Sequence, residues 1–141
     1  TNNTFNLSKE SGKIYMIEMS ATWWGPCHDD IPEGEEIYQH WENTENDPND
    51  SVEIIHFLYD LNQPYSCAQW GHYGQLHIPP IVEVKEDLSL FRDLFPENPA
   101  GGSAYPITLF IDQNMQIASI QFKPSSEEVN FIIQTMLDNM E

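Results

Sequence analysis

Basic residues are scarce in this sequence of 141 residues, which has five lysines and arginines against 23 aspartates and glutamates and a formal net charge of −18. Such a surface repels a phosphate backbone or an anionic membrane leaflet, so we expect no nucleic acid partner and no membrane insertion of this domain. The simplest interpretation is an acidic coat that keeps the protein soluble. A basic protein partner is the functional alternative.

Cysteine and long apolar runs are also scarce. The two cysteines, Cys27 and Cys67, are too few for a disulfide-stabilised scaffold, and their distance in the sequence leaves it to the fold whether they meet. No run approaches the roughly 18 apolar residues that a membrane-spanning helix needs. Hydrophobic residues still make up 40% of the chain, so we expect a single domain over residues 1–141 with a proper core.

Four apolar stretches rich in β-branched and aromatic residues predict the strands of one sheet. They cover residues 13–20, 52–60, 107–111 and 117–122. Asp112, Gln113 and Asn114 lie between the last two and predict a hairpin turn.

The longest predicted helix runs from His28 to Trp41. Pro26 favours its start, because a proline in the first turn lacks only an N–H that would have no partner there. Pro32 lies further in and should kink or interrupt the helix. Shorter helices are expected at 67–76 and 88–95, and a last helix opens after Pro124 with Ser125 or Ser126 as its N-cap.

The most informative motif is Ala-Thr-Trp-Trp-Gly-Pro-Cys at residues 21–27, between the first predicted strand and the first predicted helix. It resembles the Trp-Cys-Gly-Pro-Cys turn of thioredoxin-like oxidoreductases, with Trp24 at the position of the attacking cysteine. The strand–turn–helix context makes the motif more than a chance match.

A second segment, Tyr105 to Asp112, is similar to the proline segment of the TlpA/ResA-like branch of these thiol-disulfide oxidoreductases, also called redoxins. In that branch a threonine usually follows the proline directly, whereas here Ile107 is inserted between Pro106 and Thr108. The resemblance implies an α/β thioredoxin-like fold with a central mixed sheet and helices on both faces. It also implies an extracytoplasmic location and a protein or peptide thiol or disulfide as partner, with no cofactor and no metal.

The resemblance assigns roles to individual residues. Cys27 matches the buried resolving cysteine, and Pro106 matches a cis-proline that lies against the active-site turn. The substrate groove would then be lined by Pro106 together with Trp23, Gly25, Pro26 and Tyr105.

Glu18 falls where thioredoxin-like proteins often place a buried acid that exchanges protons with the resolving thiol. A carboxylate between Ile17 and Met19 is costly to bury unless it has a partner or stays protonated. The alternative is that Glu18 faces a polar patch or ends a strand. His56 matches weakly a lysine that thioredoxins place near this acid, and an ordinary core or surface histidine is the alternative.

Trp24 changes what this turn can do. Exchange begins when a thiolate attacks a partner disulfide, and an indole is neither a nucleophile nor a leaving group. Cys27, one turn inside a helix and sheltered, is expected to be inert by itself. We therefore expect no working dithiol oxidoreductase.

Four explanations of Trp24 stay open. A natural loss would leave a redox-inactive module that binds an extended peptide on Trp23, Trp24, Tyr105 and Pro106. A substitution or misreading at one codon, including a selenocysteine codon read as tryptophan, would leave the rest of the site as it is.

The third explanation is chemistry rerouted through Cys27 and Cys67, although the simpler interpretation of Cys67 is a small buried hydrophobe. The fourth is metal binding by Cys27, His28 and His72 or His77, whose spacing is not diagnostic.

Overall fold

The computed structural model describes residues 12–21, 27, 29–59, 81–84 and 107–140. These residues contain two helices, α1 (Ile31–Glu42) and α2 (Ser126–Asp138). Five strands form one sheet: β1 (Ile14–Ala21), β2 (Val52–Tyr59), β3 (Ile81–Val84), β4 (Ile107–Ile111) and β5 (Ile117–Phe122). Their order across the sheet is β3-β2-β1-β4-β5.

The sheet is mixed. Strands β1, β2 and β3 are parallel neighbours, whereas β4 runs antiparallel to β1 and β5 antiparallel to β4. The four predicted strands are confirmed within one residue at each end, and so is the antiparallel direction of the strand after Pro106 relative to the strand of Glu18. In this register Glu18 lies between His56 of β2 and Thr108 of β4.

Strand β3 was not predicted. It has only four residues, Ile-Val-Glu-Val, and follows two prolines at positions 79 and 80, which are unfavourable inside a sheet. Its parallel pairing with β2 gives it backbone partners that no local pattern reveals.

Alternating side chains divide the core between the two faces of the sheet. One face packs against both helices, since Met16 and Phe110 share a cluster with residues of α1 and α2. The indole Nε1 of Trp41 donates to Asn130 Oδ1 at 2.9 Å and ties the two helices together. The opposite face is buried as well, through Tyr15, Ile17, Met19, Ile55, Phe57, Ile107, Leu109 and Ile111. The helices predicted at 67–76 and 88–95 lie outside the described residues.

The first long helix differs from its prediction. Cys27 and Asp29 are helical, Asp30 forms a turn, and α1 begins only at Ile31, so the expected single helix from His28 to Trp41 is wrong as a continuous element. The interruption expected at Pro32 is confirmed. Because proline has no backbone N–H, it cannot continue an incoming helix, but it fits the first turn of a new one.

The predicted hairpin turn at residues 112–114 and the predicted N-cap of the last helix are both confirmed. Asp112 Oδ1 accepts hydrogen bonds from the N–H groups of Asn114 and Gln116, at 2.9 and 3.0 Å, and closes the β4–β5 hairpin. Ser125 is the N-cap of α2, and its Oγ accepts from the N–H of Glu128 at 3.1 Å.

Candidate functional site

Three of the singled-out residues lie in the described part of the chain: Glu18, Cys27 and His56. The remaining predicted site residues lie outside it, namely Trp23, Trp24, Gly25, Pro26, His28, Cys67, His72, His77, Tyr105 and Pro106. The contact between Pro106 and the Trp24–Cys27 turn and the cis Tyr105–Pro106 peptide therefore stay predictions.

Glu18 is buried, with 7% of its surface exposed, on the face of the sheet that α1 covers. Its Oε1 accepts a hydrogen bond from Ser20 Oγ at 3.3 Å. Helix α1 crosses close above it, because a Cβ added at Gly34 would lie 3.7 Å from Glu18 Oε2. The carboxyl group is thus enclosed between β1 and the first turns of α1.

His56 faces the same carboxyl group from β2, with its Nε2 3.9 Å from Glu18 Oε1. That separation would suit a weak ion pair, but burial lowers the pKa of His56 to about 4. Burial raises the pKa of Glu18 to about 7, with Glu33 adding to the rise and Ser20 opposing it. At neutral pH the histidine is therefore uncharged, and we treat the contact as one between a neutral imidazole and a carboxyl group near its midpoint.

Asp30 is a second buried acid, which the sequence analysis missed. Only 7% of its surface is exposed. Burial raises its pKa to about 7, the charges of Glu18 and Glu33 add to the rise, and Lys123 opposes it. In the sequence nothing distinguishes Asp30 from the exposed Asp29, so only the packing of α1 identifies it.

Cys27 is buried too, with 1% of its surface exposed. It is helical, and Asp30 keeps a right-handed helical backbone with φ −87° and ψ −9°. Cys27 therefore precedes by three residues a second buried group, Asp30, whose pKa burial raises to about 7.

This arrangement can store and release protons at neutral pH, because Glu18 and Asp30 both titrate near 7 within one enclosed cluster. Among the described residues, no group of three or more histidines, cysteines and acids is arranged to hold a metal ion. In the same part of the chain, no helix is long and apolar enough to cross a membrane.

Comparison with solved structures identifies the class of fold. A thiol:disulfide interchange protein of the thioredoxin family from Chlorobium tepidum TLS superposes with a TM-score of 0.71 at 19% identity, over 94% of this chain and 86% of that chain. The exposed lipoprotein thioredoxin Etrx1 from Streptococcus pneumoniae strain TIGR4 has a TM-score of 0.71 at 16% identity, over 94% and 92% of the two chains. A secreted thiol-disulfide isomerase from Corynebacterium glutamicum reaches 0.71 at 14% identity, over 98% and 78%.

The protein therefore has the thioredoxin fold, and the predicted fold class is confirmed. The similar structures are thiol:disulfide interchange proteins of the thioredoxin type. No protein-family model matches the sequence, and no curated protein is significantly similar to it.

Proposed function

We propose that this chain is a single thioredoxin-fold domain of the thiol-disulfide oxidoreductase type, in which dithiol exchange cannot start because Trp24 occupies the position of the attacking cysteine. The observations that support this proposal are the burial of Cys27 and the cluster of the two buried acids Glu18 and Asp30, the second of which follows Cys27 by three residues. Burial raises the pKa of both acids to about 7, and the charge of Glu18 adds to the rise at Asp30.

Buried carboxyl groups are costly for a fold, since each must lose its hydration or keep its proton. A domain that only used its outer groove for binding would gain nothing from such groups in its interior. Resolution of a mixed disulfide does use them, because a buried thiol must lose its proton before it can attack. The cluster therefore favours a site built for thiol chemistry and altered at one residue.

The partner that we propose is a protein or peptide thiol or disulfide, and the proposed location is extracytoplasmic. The similar structures support both, since they include a thiol:disulfide interchange protein, an exposed lipoprotein thioredoxin and a secreted thiol-disulfide isomerase. A domain with a net charge of −18 would favour a partner with a basic surface near its disulfide.

The test is insulin reduction by the wild-type protein and by Trp24→Cys, with dithiothreitol as the electron source. We expect background turnover for the wild type and measurable turnover for Trp24→Cys. Trp24→Ala is the matched control for removal of the ring, and Trp24→Cys combined with Cys27→Ser is the control for the second thiol. Both controls should stay at background.

Two outcomes would overturn the proposal. Turnover by the wild type comparable to that of a thioredoxin would mean that Cys27 works without a cysteine at position 24, and Cys67 would then be tested as its partner. Background turnover by Trp24→Cys, together with tight binding of an extended peptide by the wild type, would instead indicate a binding module that uses Trp23, Trp24, Tyr105 and Pro106.

A further inference from the structure

Ser20 is a polar residue at a fully buried position of β1. Serines are mostly exposed in folded proteins, and a buried hydroxyl is costly unless it makes a hydrogen bond. The Oγ of Ser20 donates to Oε1 of Glu18 at 3.3 Å. The buried serine and the buried acid of the candidate site therefore satisfy each other within one strand.

The pleat of β1 explains why these two side chains meet. Residues two apart on a strand point to the same face of the sheet. Met16, two residues before Glu18, packs on that face against residues of α1 and α2. The face covered by the helices thus changes from apolar to polar along β1. Gly34 of α1 closes this end, because a Cβ added there would lie 3.7 Å from Glu18 Oε2.

The other groups that face Glu18 do not replace this hydrogen bond. The Nε2 of His56, on β2, is 3.9 Å from Oε1, which is beyond hydrogen-bond distance. On the side of α1, the charge of Glu33 disfavours the carboxylate of Glu18, and the charges of Glu18 and Asp30 disfavour each other. An ionised carboxylate only accepts hydrogen bonds, so the Ser20 hydroxyl stabilises the anion against its burial and these charges.

We propose that Ser20 is a positioning residue for Glu18, whose hydroxyl holds Oε1 and stabilises the carboxylate so that this enclosed acid can still release its proton. The proposal rests on the proposed function only for its use, since Glu18 can accept a proton from a buried thiol only after losing its own. The effect of Ser20 on Glu18 does not depend on that use. A role of Ser20 as a small residue beneath α1 is the alternative that the test must separate.

The test is a carboxyl-carbon NMR titration of Glu18 in the wild type, in Ser20→Ala and in Ser20→Thr. Alanine stays small but loses the hydroxyl, so the midpoint of Glu18, about 7 in the wild type, should rise. We expect a rise of about half a unit, a roughly threefold tighter binding of the proton, because 3.3 Å is long for a hydroxyl donor. Threonine restores the hydroxyl and should return the midpoint to the wild-type value.

Ser119 of β5 provides the matched control. It is a half-buried serine whose Oγ accepts from Gln121 Nε2, two residues further along the strand, at 2.7 Å. Because this pair lies on β5 and not beside Glu18, Ser119→Ala should leave the midpoint of Glu18 unchanged.

An unchanged midpoint in a folded Ser20→Ala would overturn the proposal, and so would an equal rise in Ser20→Thr, because a role in packing would then be sufficient. Should the variants fail to fold, the wild type decides. The Cβ of Ser20 should shift at the pH at which Glu18 titrates, and a Cβ that does not respond would overturn the proposal. These results do not depend on insulin reduction, so failure here is distinguishable from failure of the proposed function.

Discussion

Replacing Glu18 with glutamine should make the stability of the protein less dependent on pH. Glutamine has nearly the same shape, and its side-chain oxygen can still accept from Ser20 Oγ, as Glu18 Oε1 does at 3.3 Å. The substitution therefore removes the titration of a buried acid while keeping its hydrogen bond. Because Glu18 is enclosed between β1 and α1, solvent screening is small, and its pKa can be converted to free energy.

The size of the pH-dependent stabilisation by Glu18 follows from the rise of its pKa from 4.5 to about 7 on folding. Each unit corresponds to about 1.4 kcal/mol, so the total is about 3 kcal/mol. The folded state binds this proton more tightly than the unfolded state. The stabilisation is therefore complete below the unfolded pKa and is lost as the pH rises through 7.

The assay is urea unfolding of the wild type and Glu18→Gln between pH 4 and pH 9. The free energy of unfolding of the variant minus that of the wild type should increase by about 3 kcal/mol from the lowest to the highest pH. Glu36→Gln, which changes an exposed acid of α1, should show no such increase. A difference between wild type and Glu18→Gln that stays constant within about 1 kcal/mol would refute the assignment of a raised pKa to Glu18.

Three further predictions concern the free energy of unfolding, measured in urea at one pH. Asp47→Ala should lower it by about 1–3 kcal/mol, because the Asp47 carboxylate accepts from the backbone N–H groups of Ser51 and of buried Val52. A loss under about 0.5 kcal/mol would contradict this role of Asp47. Ser125→Ala should lower it by about 1 kcal/mol through loss of the α2 cap. No change would show that Glu33, which accepts from the N–H of Ser126, is alone sufficient to cap α2. Leu109→Ala should lower it by about 2–5 kcal/mol, because Leu109 is fully buried in the core. Phe131→Ala, at a side chain that is 73% exposed, should change it by less than about 0.5 kcal/mol, and equal effects of the two substitutions would contradict the assigned core.

Local patterns were sufficient to predict most of the sheet. Strands β1, β2, β4 and β5 consist of β-branched, aromatic and other large apolar residues, and the burial of Glu18 followed from its position between Ile17 and Met19. The interruption at Pro32 and the Ser125 cap also depend on short-range backbone chemistry, which a sequence states directly.

The parts of the site that were missed depend on contacts between distant segments. Asp30 and Glu33 have the composition of a solvated first turn, where acids are common and favourable. Asp30 is buried only in the folded domain, and the N–H of Ser126, at the start of α2, reaches Glu33 Oε1 from a distant part of the chain. Strand β3 was missed for the same reason, because its partner is β2 and its own four residues carry too short a pattern.

The most direct test of the central claim is a redox titration of Trp24→Cys against glutathione, with disulfide formation followed by mass spectrometry. If the site is altered at one residue only, the introduced thiol should have a pKa below the ~8.5 of a free cysteine and form a reducible disulfide with Cys27. The wild-type protein, treated in the same way, should form no such bond. Failure of the introduced cysteine to bond with Cys27 under mild oxidation would contradict the account, because the loss would then extend beyond Trp24 to the geometry of the turn.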